Sequence, residues 1–251
     1  MRLLNFTFSL LLVILIFASC KKDKLTMPDT KADTLLKDTV EAFSAPLKMD
    51  TITDDPSDPN PEPKKTEKLN YDASLWSELT KADGFALDIR YATTNNFTKK
   101  RIYDCGKCFM RPEAAEKLKT IQAELNEKFG YSIKIFDCYR PGPYQQRLWD
   151  IVPNPDYVTP PHKGSMHSKG LAIDLTIVDK DGNELDMGTS FDFFGPEAHQ
   201  GYNHSDAVKR HRWILKSTME KHGFGSIRTE WWHYSYKGKS YPLDKWVWDC
   251  K

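Results

Sequence analysis

Two short segments of this 251-residue chain carry side chains that could bind a metal ion and move a proton. The first runs Ser165-Met166-His167-Ser168-Lys169-Gly170-Leu171-Ala172-Ile173-Asp174, and the second is Glu230-Trp231-Trp232-His233. Two imidazoles and one carboxylate can hold a zinc ion and leave one coordination position open. Glu230 then remains as a free carboxylate beside the metal. Those are the components of a hydrolytic zinc centre.

The spacing sets conditions on the backbone. His167 and Asp174 lie seven residues apart, and an odd spacing along a strand puts two side chains on opposite faces. They converge only if the chain turns at Ser168-Lys169-Gly170, and Gly170 permits such a turn. Asp174 sits among Leu171, Ala172, Ile173, Leu175 and Ile177, where a buried charge needs a partner such as a metal. Glu230 and His233 are three apart, so a bend must bring them to one site. Taken singly, each piece has an ordinary reading: an exposed glutamate, a core histidine. Together they are far more specific. A third piece is Phe136-Asp137-Cys138-Tyr139-Arg140-Pro141-Gly142. Arg140 falls where a strand ends and a turn begins, a place from which side chains reach into clefts. Its guanidinium, opposite the metal, would stabilise an oxyanion; otherwise it is a surface arginine in a turn.

The elements that must position these groups are legible in the hydrophobic pattern. Phe85, Leu87, Ile89 and Tyr91 alternate with Ala86, Asp88 and Arg90, the signature of a half-buried strand. Ala114, Leu118, Ile121, Leu125 and Phe129 recur at helical spacing between Arg111 and Phe129, with Pro112 near the start and Gly130 just past the end. Ser132 to Cys138 alternates again and runs into a turn at Arg140-Pro141-Gly142-Pro143. A short helix over Tyr144 to Ile151 and a β-branched strand over Gly170 to Val178 follow. Asp179 to Asn183 reads as a turn. Ser205 can cap a helix that runs to about His222 and stops at Gly223. Glu230 to Tyr236 is aromatic and β-prone. Helices and strands mix without a regular βαβ repeat. The expected fold is therefore α+β, a single domain with a mainly antiparallel sheet flanked by helices.

The chain ends differently from how it begins. Met1-Arg2, the apolar run Leu10 to Phe17 and then Ala18-Ser19-Cys20 read as a secretory signal over residues 1–19. A cysteine directly after the small pair looks like a bacterial lipobox, so Cys20 is the expected lipidation site and an exported, membrane-anchored lipoprotein the expected localisation. From Lys21 to about Lys68 there is no Gly, Trp or Tyr, and Phe43 is the sole aromatic. Such a stretch buries too little apolar area to offset its ordering entropy, and residues 20–68 read as a disordered tether. The catalytic domain is assigned to residues 69–251, which hold all seven tryptophans and all seven histidines. A formal net charge of +1 gives no footprint for nucleic acid. Oligomeric state is not legible. The four domain cysteines, Cys105, Cys108, Cys138 and Cys250, favour disulfides outside the cytosol. Three pairings are open, and Cys105-x-x-Cys108 could instead be half of a structural zinc site.

Five motifs in one order carry a resemblance: Asp-Ile-Arg-Tyr-Ala-Thr-Thr-Asn-Asn-Phe-Thr (88–98), Asp-Cys-Tyr-Arg-Pro (137–141), Ser-x-His-x-x-Gly-x-Ala-x-Asp (165–174), Met-Gly-Thr-x-Phe-Asp (187–192) and Glu-Trp-Trp-His (230–233). Over about residues 70 to 245 the chain resembles the zinc D-alanyl-D-alanine dipeptidases of the VanX type, within a wider group that includes zinc D-Ala-D-Ala carboxypeptidases and the hedgehog signalling domain. The resemblance implies one Zn2+ per chain held by His167, Asp174 and His233. It makes Glu230 the general base and acid and Arg140 the transition-state stabiliser. It also has Ser165 binding the substrate carboxylate, and Tyr91 and Asp192 engaging its free ammonium. A group that binds the ammonium would confine cleavage to dipeptides.

Many dipeptidases of this type act in the cytosol, whereas this leader directs export. The expected role is therefore cell-wall turnover or scavenging of D-Ala-D-Ala outside the cytosol. Two other readings compete with it: a D,D-carboxypeptidase or endopeptidase acting on peptidoglycan peptides, and a zinc-containing binding module without activity. Glu230 argues against the last, because a structural site needs no general base.

Overall fold

A computed structural model describes residues 70–251. The signal segment, the Cys20 lipidation site and the tether expected over residues 20–68 lie outside the described residues. Among the described residues, seven strands and three α-helices follow in chain order: β1 (Ser77–Leu79), β2 (Ala86–Leu87), β3 (Cys108–Met110), α1 (Pro112–Phe129), β4 (Ser132–Asp137), α2 (Gly142–Ile151), β5 (Ala172–Val178), α3 (Asp206–Lys221), β6 (Phe224–Ser226) and β7 (His233–Tyr236). A five-stranded sheet has the order β2-β4-β5-β7-β6, and β1 and β3 form a separate antiparallel pair. Within the larger sheet only β2 and β4 run parallel. The α+β class with a mainly antiparallel sheet is thus what the chain adopts.

The helices form where local signals agree with packing. α1 starts with Pro112 at its first turn, where a missing N–H costs nothing. It ends at Gly130, whose left-handed φ of 68° closes the last turn through Gly130 N–H to Asn126 O, 2.9 Å. Its buried stripe of Ala114, Ala115, Leu118, Ile121 and Leu125 faces the sheet. α3 is capped by Ser205, whose side chain accepts from the Val208 N–H. It packs against α1 and β6.

β5 is the centre of the design. All seven of its residues are buried, as expected for a strand with neighbours on both edges and cover on both faces. Its register with β4 slips between Ile135 and Asp137, so Phe136 is the extra residue of a bulge. The bulge brings Asp137 opposite Asp174, and Asp174 is in turn opposite His233 on β7. A bulge of this kind re-aims a side chain. Here it sets three polar residues in one row across three strands, at the end of the sheet.

Two elements are shorter than their patterns predict. The alternation Phe85 to Tyr91 yields a strand only at Ala86–Leu87, followed by a 3-10 turn at Arg90–Ala92. The Tyr91 carbonyl accepts from the N–H groups of both Ile102 and Tyr103, which requires the chain to leave the sheet there. Likewise β7 begins only at His233, because Trp231 and Trp232 lie in a bend. The strands β1, β3 and β6 span three residues each, too few for alternation to register.

The cysteines pair as Cys105–Cys250 and Cys108–Cys138. This uses both members of the Cys105-x-x-Cys108 pair in separate bridges and excludes the half-zinc-site alternative. The first bridge ties down the C-terminal segment, whose Trp246 and Trp248 pack among Trp76, Tyr103, Phe109 and Tyr139.

Candidate metal centre

His167 opens a 3-10 turn that spans His167–Lys169 and closes at Gly170. Gly170 has φ 73°, and a Cβ there would meet the Trp76 ring at 2.5 Å. Both the left-handed backbone and the close approach require glycine. The turn reverses the chain between His167 and β5, so His167 and Asp174 converge despite their odd spacing. Asp174 and His233 converge by direct pairing across β5 and β7.

The donor atoms face one another. His233 Nδ1 lies 3.0 Å from Asp174 Oδ1, His167 Nε2 lies 3.2 Å from His233 Nδ1, and His167 Nε2 lies 3.4 Å from Asp174 Oδ2. Each imidazole is oriented from behind. His167 Nδ1 is 2.6 Å from the Cys138 carbonyl oxygen. That oxygen can only accept, so the proton sits on Nδ1 and Nε2 presents its lone pair to the cluster. His233 Nε2 is 3.0 Å from Ser235 Oγ, which can accept its proton and leave Nδ1 as the inward lone pair. Such outer partners fix the tautomer of a metal-binding histidine.

The donor set fits zinc. Four-coordinate zinc with ligand bonds of about 2.0–2.1 Å places neighbouring donors about 3.3 Å apart; the two imidazole nitrogens are 3.2 Å apart, each lies within 3.4 Å of one Asp174 carboxylate oxygen, and one donor atom from each residue falls within 4.8 Å of the other two. Two inward lone pairs and a carboxylate repel one another unless a cation lies between them. Without a metal, a proton on His167 takes the cation's place. Burial disfavours the charged form of His167, yet Asp174 beside it lifts its pKa above the usual histidine value. Burial likewise pushes the Asp174 carboxyl up, but His167 and His233 hold it well below the usual carboxylate range.

All eight residues singled out in the sequence line one cleft of about 230 Å³: Tyr91, Arg140, Ser165, His167, Asp174, Asp192, Glu230 and His233. Glu230 sits on the bend before β7. Burial, and then the charge of Asp174, raise its pKa above the ordinary glutamate value. Arg140 is buried, and burial alone would lower its pKa. Asp137 and its other anionic and phenolic neighbours keep it well above the usual value, so it stays charged. Its Nε and Nη2 donate to Asp137 Oδ2 at 3.1 and 2.6 Å, and its Nη1 donates to Gln145 Oε1 at 3.2 Å. Of the five guanidinium N–H donors, these three bonds leave two for a ligand. Asp192 has φ 57° and accepts from the Tyr91 hydroxyl at 3.0 Å. Burial and then the charge of Asp174 raise its pKa well above the usual range. Ser165 accepts from the Ser168 N–H at 3.3 Å.

The sequence reading did not single out the supports. Asp137 is fully buried, accepts from Arg140 and from the Tyr103 hydroxyl at 2.6 Å, and lies 3.6 Å from His167 Nδ1. A carboxylate beside Ile133, Ile135 and Phe136 was a usable signal, of the same kind as Asp174. Gln145, one turn into α2, gave none. The aromatic walls at Phe97, Tyr157, Phe194 and Trp232 come from four separate segments and become a cleft only in three dimensions.

The chain is similar to known peptidases. The M15 peptidase family model described as D-Ala-D-Ala dipeptidase matches residues 79–247. A D-alanyl-D-alanine dipeptidase of Escherichia coli (strain K12) is 40% identical over 162 residues, covering 62% of this chain and 82% of the relative. Proteins of the same description from Enterococcus faecium and from Enterococcus faecalis (strain ATCC 700802 / V583) are 35% and 30% identical over 183 residues. Each of these matches covers 63% of this chain and 89% of the relative.

Proposed function

Because the chain belongs to the D-Ala-D-Ala dipeptidase family of M15 peptidases, we propose that it hydrolyses the D-alanyl-D-alanine dipeptide at a single zinc ion held by His167, Asp174 and His233. One observation carries the reading: a three-donor cluster and a free carboxylate, Glu230, line the same small cleft. Family membership makes the chain a hydrolytic enzyme and removes the inactive binding module from contention.

Zinc in this site would polarise the scissile carbonyl and bring the pKa of a bound water to about 7. The protein supplies the rest. Glu230 takes a proton from the attacking water and later delivers it to the leaving amine. Its raised pKa brings it closer to neutrality, where an acid–base catalyst is most effective. Arg140 directs its two free N–H groups at the oxygen on which negative charge develops. Asp137 and Gln145 fix the fork beforehand, so little reorganisation is required at the transition state. Asp192 and Tyr91 receive the substrate ammonium. An aspartate whose ionisation burial opposes gains most from a cation placed against it. Substrates without a free amino terminus leave Asp192 with the Tyr91 hydroxyl but no cation, which favours dipeptides over longer chains. Ser165 binds the substrate carboxylate at the opposite end.

The leader and Cys20 support an exported, lipid-anchored enzyme acting in cell-wall turnover or scavenging. Incubating the zinc-loaded protein with D-Ala-D-Ala and with an intact muropeptide tests the activity. Release of D-alanine from the dipeptide is expected, and cleavage of the muropeptide alone would replace this reading with a D,D-carboxypeptidase or endopeptidase. Membrane fractionation of wild type and Cys20→Ala tests the anchor; equal partitioning of the two would reject it.

A further inference from the structure

The two disulfides occupy different places relative to the metal centre. The turn that carries His167 is gripped by three stretches of chain, two of which are joined by the Cys108–Cys138 bridge. On one side, the chain running on from β3 holds it through Arg111. The Arg111 N–H donates to Gly170 O at 3.0 Å, and its Nε donates to Lys169 O at 3.0 Å. On the other, the chain running on from β4 holds it through Cys138 and Arg140. The Cys138 carbonyl accepts from His167 Nδ1 at 2.6 Å, and the Arg140 N–H donates to His167 O at 3.2 Å. Cys108–Cys138 is the covalent tie between these two arms. Cys138 thus carries both the bridge and the carbonyl that fixes the histidine tautomer. Cys105–Cys250 ties the C-terminal segment beyond Asp244, whose N–H donates to Ser168 O at 2.9 Å, so it bears on the turn only through the chain between Asp244 and Cys250.

We propose that the Cys108–Cys138 disulfide is a positioning element of the metal centre: the oxidised chain holds zinc tightly, and the chain with these cysteines reduced holds it weakly. The proposal rests on the reading of His167, Asp174 and His233 as zinc ligands. Both sulfurs are buried, Cys108 at 0% and Cys138 at 1% exposure, so the bond is set as the chain folds. Its formation removes two protons and two electrons from the thiols, which pass to a donor disulfide by thiol–disulfide exchange. A chain not yet exported, in a reducing compartment, would therefore be a poor zinc binder and a poor hydrolase. Destruction of D-Ala-D-Ala would be confined to the far side of the membrane.

Loop length separates positioning from plain stability. The Cys105–Cys250 bridge closes 145 residues of chain and Cys108–Cys138 only 30, and longer loops stabilise more in the chain-entropy description. If metal retention followed global stability, opening the longer loop would weaken it more. The test compares zinc affinity, by competition with a chromophoric chelator, in wild type, Cys108→Ala/Cys138→Ala and Cys105→Ala/Cys250→Ala, with near-UV circular dichroism as the check on folding. The expected result is zinc binding about 10–100-fold weaker in the Cys108/Cys138 variant, the range for losing an orienting partner. The Cys105/Cys250 variant should bind within about twofold of wild type, with a lower Tm. Equal affinity in wild type and the Cys108/Cys138 variant would overturn the proposal. So would loss of its near-UV signal, which would make the bond a global staple. Wild type without stoichiometric zinc would sink the proposed function as well.

Discussion

Glu230→Gln separates proton transfer from every other property of the cleft. The amide keeps the shape of the side chain and loses the ability to accept a proton from water. A positioned general base contributes about 10²–10⁴ in rate, or about 2.7–5.4 kcal/mol of barrier at 1.36 kcal/mol per decade. Glu230 lies outside the three-donor cluster, so zinc affinity should be unchanged and KM nearly so. kcat for D-Ala-D-Ala, followed as D-alanine release, should fall by two to four decades. Stability should move the other way. Burial and Asp174 raise the Glu230 pKa in the folded protein. Below the ordinary glutamate value both folded and unfolded chains are protonated there, and the group has no effect. As pH rises through the raised value, ionisation is opposed only in the folded state, so the metal-free wild type loses stability. Metal-free Glu230→Gln should therefore melt at or above wild type at neutral pH and match it in acid. A variant with zinc bound and more than about a tenth of wild-type kcat would refute the general-base assignment. One that lost its zinc would instead make Glu230 a ligand.

Three further outcomes follow from the geometry. Asp192→Asn should raise KM for the free dipeptide far more than for an N-acetylated analogue, because only the former presents a cation to the Tyr91–Asp192 pair; equal effects on both would remove the ammonium role. Zinc affinity should fall as pH drops through the raised His167 pKa, since the metal must displace a proton that Asp174 helps to hold; isothermal titration across pH would read a flat profile if the assignment of His167 were wrong. Gly170→Ala should cost more than about 1 kcal/mol in denaturant unfolding, because φ 73° and the Trp76 ring both oppose a side chain. It should also weaken zinc binding through the displaced His167; wild-type values for both would show that the turn can relax.

Much of this site is legible in the sequence, and the reason is local. The requirement that the chain turn between His167 and Asp174 followed from their odd spacing, and Gly170 supplied the means. The bend at Trp231-Trp232 followed from the same parity argument. Long elements with strong periodicity, α1 and α3 above all, formed within one or two residues of their sequence signals. What escaped depended on long-range register. The bulge at Phe136 cannot be read from β4 alone, because it exists only relative to β5. Without it, Phe136 rather than Asp137 would stand opposite Asp174. The pairing of Cys105 with Cys250, far apart along the chain, was equally out of reach.

The C-terminal segment has practical weight for anyone handling this protein. Asp244 accepts from Arg111 Nη2 at 2.9 Å, its N–H donates to Ser168 O at 2.9 Å, and its carbonyl accepts from the Gly142 N–H at 3.1 Å. One residue near the chain's end therefore braces the His167 turn, the start of α2 and the residue that grips Gly170. Truncation before Asp244 is an intervention at the heart of the enzyme carried out from its margin. Affinity handles are better placed ahead of Asn70 than behind Lys251.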